Sequence, residues 1–382
     1  MPRSKKSLLP NIVVAFFVLT HCCFCQERLK DFVPSNFNIG GVLHGDSEGF
    51  KSAEYRNVAV AEFNAVTATI YMGWGPWPSP RKQPDVERLT RVVNWANNRS
   101  LKVHGHTLLY PMSNEALNWF QKLPNDQVPD YLDKFISKTA GDHAGKVWVW
   151  DVVNEVMADY GQQMDQQGLR TKYKEYKAMG PGYVEFAFRS AKKADPNALL
   201  IINDYGIVEW NKKSTRLFEF VKKLKADGVP IDGVGFQAHF TDLKQSRLNA
   251  DSIRKNFKRF ANEGFQLFIT EMDVCSIATK RPHPGKPGIS TPNAKQIKRQ
   301  AAFFGDMLEI ALDEPACKAL LLWDYADDFS WLHKTDRQMG NIPPGTYTHP
   351  APFWCGKTCP IERKDAFYAM LDALKKNKER RK

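Results

Sequence analysis

Trp148-Val149-Trp150-Asp151-Val152-Val153-Asn154-Glu155 is a short, β-branched, largely apolar run that ends in a carboxylate. An apolar run without alternation reads as a strand buried on both faces, and the polar residues that end it mark where it meets a surface. The pattern returns at Gln266 to Glu271, followed by Met272-Asp273. Six more such runs occur: Phe37 to Leu43, Ala65 to Tyr71, Leu101 to Leu109, Ala198 to Asn203, Gly233 to Gln237 and Ala319 to Trp323. Amphipathic stretches at Asp85 to Arg99, Pro129 to Ala144, Tyr183 to Ala194, Thr215 to Ala226, Ser252 to Glu263 and Lys295 to Leu312 separate them, and Lys364 to Lys375 closes the series. Buried strands alternating with helices require a parallel sheet covered by helices, and eight such units close into a barrel. The expectation is an α/β fold, a single-domain (β/α)8 TIM barrel. Two long connections, Ala158 to Pro181 and Ile277 to Pro292, follow the fourth and seventh strands, on the face where such barrels carry their sites.

The chain has 382 residues, 43% hydrophobic and 25% charged, values that exclude a disordered or fibrous protein. Its net charge of +12 is concentrated at the ends, because Arg3, Lys5 and Lys6 carry +3 and Lys375 to Lys382 carry +5. The remaining body is only mildly basic, so nucleic acid is not an expected partner.

Arg3, Lys5 and Lys6 followed by the apolar run Ile12 to Leu19 read as an export signal over residues 1–25. The apolar run is too short to span a membrane. The expected organisation is a signal peptide, a catalytic domain over residues 26–374 and a basic tail over 375–382, in a secreted or periplasmic monomer. Four of the seven cysteines lie beyond the signal. Cys355 and Cys359, in one Pro- and Gly-containing loop, are the expected disulfide, while Cys275 and Cys317 sit in apolar segments and are expected to stay reduced.

Glu155 and Glu271 fall just past the fourth and seventh strands, which stand across a barrel from one another. Two carboxylates facing over a cleft can cut a glycosidic bond, one as acid and one as nucleophile.

The segments Trp150 to Glu155 and Ile269-Thr270-Glu271-Met272-Asp273-Val274 resemble the retaining endo-xylanases of glycoside hydrolase family 10. Gly105-His106-Thr107-Leu108, Asn203-Asp204-Tyr205, Gly233 to His239 and Trp323 extend the resemblance in order, from about Phe37 to Leu374. It implies Glu155 as general acid/base, its pKa raised by the nearby Glu271, and Glu271 as nucleophile. It implies His239 bonded to the nucleophile and oriented by Asp273, Asn154 on the 2-hydroxyl of the sugar under attack, and His106, Gln237 and Trp323 around that sugar. Tyr205 and Trp331 fall among the matched substrate-binding positions. The implied partner is a polysaccharide, acidic or substituted chains included, with no metal and no cofactor.

The sequence departs from the family after the second strand, where a Glu, an Asn and a Lys that hold the next sugar on the non-reducing side are replaced by Thr69, Ile70 and Gly73. His104 stands for the family's Arg, and Tyr110-Pro111 for its Trp-His. Trp74, Trp77 and Tyr110 crowd the same edge, so an altered, more apolar subsite is expected there. Two rival readings are a metal-dependent hydrolase, suggested by His104-Gly105-His106 with His239 and Asp324, and a carbohydrate-binding barrel that has lost catalysis.

Overall fold

The computed structural model describes residues 26–45, 47–70, 86–110, 118–240, 248–274, 278–279, 293–332, 347–354 and 360–382. Trp74, Trp77, Cys275, Cys355, Cys359 and residues 1–25 lie outside them.

Eight parallel strands close a barrel: β1 (Asn38–Leu43), β2 (Ala65–Thr69), β3 (Lys102–Leu109), β4 (Val149–Asn154), β5 (Leu199–Asp204), β6 (Gly233–Phe236), β7 (Gln266–Val274) and β8 (Cys317–Leu322). Each strand pairs with its sequence neighbours, and β8 pairs with β1, for example Ala319 with Asn38, which closes the ring. All eight coincide with the runs read from the sequence to within a few residues. Each is followed by one main helix: α1 (Ala53–Glu62), α2 (Glu87–Asn97), α3 (Val128–Gly141), α4 (Gly182–Ala194), α5 (Lys212–Ala226), α6 (Ala250–Asn262), α7 (Ala294–Asp313) and α8 (Asp365–Arg380).

The helices form where apolar residues recur at helical spacing. In α2, Leu89, Val92, Val93 and Ala96 are buried, and the polar residues between them stay outside. Reciprocal side-chain to backbone bonds cap α5 through Asn211 and Ser214, and α7 through Asn293 and Gln296. α1 has no such stripe, which is why its pattern does not announce it. Among the described residues, no helix is long and apolar enough to cross a membrane.

The basic segment from Lys375 is not a separate tail, as the sequence suggested, but the end of α8. Asn377 is buried there, and Lys376 and Arg380 pair with Glu309 and Asp313 of α7 at 3.0 and 3.2 Å. Charges that look surplus in the sequence thus face acidic partners on the neighbouring helix.

Inside the barrel, Ala65, Val149, Ile201, Phe268, Ala319 and Leu321 form an apolar plug, with Trp148 and Leu199 packed against it. Two residues further along the same strands the interior turns polar, at Thr67, Asp151 and Asn203, all fully buried. The polar layer therefore sits on a packed floor at the C-terminal end of the barrel. The pairing of β4 with β5 slips between Asp151 and Val153, and that of β7 with β8 slips between Ile269 and Met272. An extra residue in a strand re-aims the side chains around it; in β4 it falls just before Glu155, and in β7 the irregular stretch contains Glu271.

Candidate active site

β3 delivers His104 and His106 to the barrel interior, both buried and both directed at Asp151 of β4. His104 Nε2 lies 3.0 Å and His106 Nδ1 2.6 Å from Asp151 Oδ2, while His104 Nδ1 meets Thr67 Oγ1 at 3.1 Å. Burial alone would raise the Asp151 pKa, but the two imidazoles outweigh it and hold the carboxyl below its usual range. For His106, burial pushes the pKa down, and Glu271 followed by Asp151 pull it above the usual imidazole range.

Glu155 directly follows β4 in a left-handed backbone conformation, with φ of 56°. That conformation is uncommon for a residue with a side chain and gathers at functional sites. Gln237 Nε2 donates to Glu155 Oε1 at 3.1 Å, and the Tyr110 hydroxyl donates to Oε2 at 2.8 Å. Burial and the Asp204 charge raise the Glu155 pKa, the bonds from Gln237 and Tyr110 oppose them, and Glu271 adds the smallest upward push. The sequence reading assigns the rise to Glu271; burial is its largest cause and Glu271 the least of those that raise it.

Glu271 of β7 is buried and held from two sides. Asn203 Nδ2 donates to Oε1 at 2.7 Å, and His239 Nε2 lies 3.2 Å from Oε2. His239 belongs to a two-residue extension, His239–Phe240, that pairs with Asp273 and Val274 and so sets the imidazole beside Asp273, with Nδ1 3.0 Å from Oδ2. Burial would lower the His239 pKa, but Asp273 and Glu271 outweigh it and hold it up to about 10, so His239 is an imidazolium at neutral pH. Trp331 Nε1 donates to the same Asp273 oxygen at 2.7 Å. The two carboxylates are thereby joined: Gln237 Nε2 reaches both Glu155 and Asn154 Oδ1, and Asn203 Nδ2 reaches both Asn154 Oδ1, at 3.1 Å, and Glu271.

This chain of bonds depends on Gly235 in β6. A Cβ there would stand 2.4 Å from Asn203 Oδ1 and 3.0 Å from Thr270 Cγ2. Thr270 Oγ1 in turn donates to Asn203 Oδ1 at 2.7 Å, which fixes the amide so that its NH2 points to Glu271.

Trp323 ends β8 as a buried wall, edge-on to His106 at 5.1 Å and to His44 at 5.5 Å between ring centres. Of the positions read from the sequence, Asn154, Glu155, Gln237, His239, Glu271 and Asp273 form one bonded group, with His106 and Trp323 against it. Trp331 and Tyr110 touch this group through Asp273 and Glu155. Tyr205 does not join it: its hydroxyl bonds Asp159 and accepts from Arg170 at 2.6 Å, in a cluster completed by Lys213, which bridges Asp159 and Asp204 at 3.0 and 2.9 Å. Sequence reasoning gave no role to Asn203, Asp151 or the Tyr110 hydroxyl. The signal for the first two was present, since each is a polar residue in a strand that is otherwise apolar.

His106, Asp151 and Glu271 could each offer a metal an atom within 4.8 Å of the others. Their donors are already used, His106 Nδ1 on Asp151 and Glu271 on Asn203 and His239, and His104 turns to Thr67 and Asp151 beneath them. That arrangement fits a hydrogen-bonded carboxylate site better than an ion cage.

A buried, hydrogen-bonded carboxylate and a second carboxyl with a raised pKa, at the mouth of a (β/α)8 barrel, are the features of a glycoside hydrolase. The family model of glycosyl hydrolase family 10 matches residues 28–373, and the chain belongs to that family. It is 35% identical over 300 residues to endo-1,4-beta-xylanase B of Thermotoga neapolitana, covering 78% of this chain and 80% of that protein. It is 30% identical over 307 residues to beta-1,4-xylanase of Dictyoglomus thermophilum, covering 80% and 82%. Among solved structures, native xylanase 10B from Thermotoga maritima superposes with a TM-score of 0.76 at 31% identity, covering 93% of this chain and 100% of that one. Xylanase 10B from Thermotoga petrophila RKU-1 in complex with xylobiose gives 0.75 at 31% identity, covering 92% and 98%.

Proposed function

We propose that this chain is a secreted retaining β-glycosidase that cleaves xylan or a related β-linked polysaccharide by double displacement. The carrying observation is the bonded line from Glu155 through Gln237, Asn154 and Asn203 to Glu271. Glu271, held in place by Asn203 and His239, attacks the anomeric carbon while Glu155 gives its proton to the departing glycosidic oxygen. The bond to the leaving sugar breaks as the ester to Glu271 forms. Glu155, now a carboxylate, takes a proton from water as that water attacks the same carbon and frees Glu271. Asp273 and Trp331 hold His239, and Asp151 holds His106 against Glu271. The basic and then apolar N-terminal residues support export.

An altered non-reducing-side subsite follows from β2. Thr69 and Ile70 are buried, and the Thr69 hydroxyl is spent on His44 Nδ1 at 2.9 Å, so neither offers a sugar what a Glu and an Asn would. The test is hydrolysis of linear and substituted xylans with products sized and the anomeric configuration followed by proton NMR. Release of β-anomer first supports the reading. Release of α-anomer first, or no cleavage of any β-xylan or aryl β-xyloside, overturns it.

A further inference from the structure

The backbone that presents Glu155 is clamped residue by residue. Its own N–H donates to the Asn203 carbonyl at 2.8 Å. Beyond it, the Val156 carbonyl accepts from the Arg170 N–H, the Met157 N–H donates to Asp204 Oδ2 and the Met157 carbonyl accepts from Arg170 Nε, each at 2.9 Å. A left-handed residue that bears a side chain persists only where its surroundings over-determine it, and here Arg170 and the Asp204 carboxylate do so.

Asp204 ends β5 fully buried, next in the chain to Asn203, which holds Glu271. Its second oxygen, Oδ1, accepts from the Tyr205 N–H at 2.8 Å and lies 2.9 Å from Lys213 Nζ. The Lys213 ammonium sits 3.4 Å from the centre of the Tyr205 ring and 3.0 Å from Asp159, and Arg170 closes the box at 3.1 Å from the same carboxylate. Burying a carboxylate is costly unless it is paired and bonded, and Lys213 supplies the pairing for Asp204.

The double displacement itself calls on neither Asp204 nor Lys213, yet Asp204 acts on Glu155 in two ways. It pins Met157, two residues further on, and among charged groups it stands ahead of Glu271 in raising the Glu155 pKa. The groups facing Glu155 are Tyr110, His106, Gln237, Glu271 and Asp204, and those facing Asp204 are Lys213, Arg170, Tyr183 and Tyr205 besides Glu155 itself. We infer that Asp204 and Lys213 are a positioning pair for Glu155: Asp204 fixes the backbone that presents the carboxyl and sets a negative charge beside it, and Lys213 anchors Asp204 and limits that charge. This rests on the proposed glycosidase reading, which makes Glu155 the proton donor, and the experiment separates the two.

Asp204→Asn keeps the shape and removes the charge, so the Glu155 pKa falls. Lys213→Met keeps the stem and removes the cation, so Asp204 acts unopposed by it and the Glu155 pKa rises. The alkaline limb of kcat/KM on an unactivated xylo-oligosaccharide should move down by about 0.5–1 pH unit in the first variant and up by a similar amount in the second. Lys213→Arg should return it to the wild-type position. A merely structural pair would lower activity at every pH and leave the limb in place. Glu155 is titrated directly in parallel, by carbon NMR of the full chain labelled at its glutamate carboxyl carbons, with Glu155→Gln identifying the signal. A limb and a midpoint that stay put in either folded variant, or that move the same way in both, overturn the pair. If Lys213→Met does not fold, Asp204→Asn decides alone. Should the wild type cleave no β-xylan and no aryl β-xyloside, the glycosidase reading fails, and the NMR midpoints then decide the pair without it.

Discussion

The Tyr110 hydroxyl and the Glu155 carboxylate are bonded at 2.8 Å, and because Gln237 occupies the other oxygen, each oxygen of Glu155 accepts a hydrogen bond. Both bonds favour the ionised form, in opposition to burial and the Asp204 charge that favour the protonated one. Tyr110→Phe removes one of them. The Glu155 pKa then rises further, and the alkaline limb of the kcat/KM profile moves to higher pH. The step in which Glu155 must act as a base slows by roughly three- to tenfold. The kcat/KM profile on an unactivated xylo-oligosaccharide, which needs the acid's proton, reads the first effect, and kcat on an activated aryl substrate, whose second step limits turnover, reads the second; an unmoved alkaline limb contradicts the role.

Glu271→Gln is expected to remove turnover by about four orders of magnitude or more while leaving the melting temperature near the wild-type value. Glu155→Ala should lower kcat/KM far more on natural linkages than on aryl glycosides with good leaving groups, because only the former need the acid's proton. A mechanism-based fluorosugar should label Glu271 in the wild type, and peptide mass mapping that finds the label elsewhere would refute the assignment.

Glu175, in the short helix Lys174–Met179 ahead of α4, is buried, with neither carboxyl oxygen hydrogen-bonded among the described residues. Burial pushes its pKa from 4.5 up to about 8. An acid whose folded pKa is raised contributes stability that is complete below its unfolded pKa and is lost as pH rises through the folded one. The loss therefore runs from about pH 4.5 to about pH 8. Glu175→Gln escapes it, and its advantage over the wild type should grow across that window by roughly 2–4 kcal/mol and then level off. Denaturant melts at pH 4, 6, 8 and 9 give the comparison; a constant difference would show that burial does not raise the folded pKa of Glu175.

Burial of Cys317 pushes its thiol up to about 12, and its Sγ faces the Ala319 carbonyl at 3.7 Å. It should resist thiol reagents in the native protein and react on denaturation. Thiol titration of the denatured mature chain is expected to count two free thiols, Cys317 and Cys275, with Cys355 and Cys359 bridged. A count of four would exclude the bridge.

The barrel was legible because burial on both faces leaves a strand no alternation to hide in: β4 and β7 each read as one continuous apolar run. The two glutamates were legible because a charge just past such a run needs a reason to be there. For Tyr110, expected beside the sugar, nothing in the sequence tells that its hydroxyl turns to the end of β4, where it bonds Glu155. The sequence is equally silent that Arg170, 35 residues earlier, holds the Tyr205 hydroxyl. Such pairings form only when the barrel closes. The source of the Glu155 pKa was likewise out of reach, because burial is a property of the folded mouth.

Gly235 carries a consequence for how this site can vary. Its missing side chain is the space in which Asn203 and Thr270 meet, so three strands share one small volume. Alanine at 235 would displace the asparagine that holds Glu271, and no single change at 203 or 270 restores the room without removing a bond. Drift through neutral intermediates is closed at this point. Combinatorial libraries should recover Gly235 replacements only together with smaller partners at 203 or 270, and such double replacements should be folded and nearly inactive.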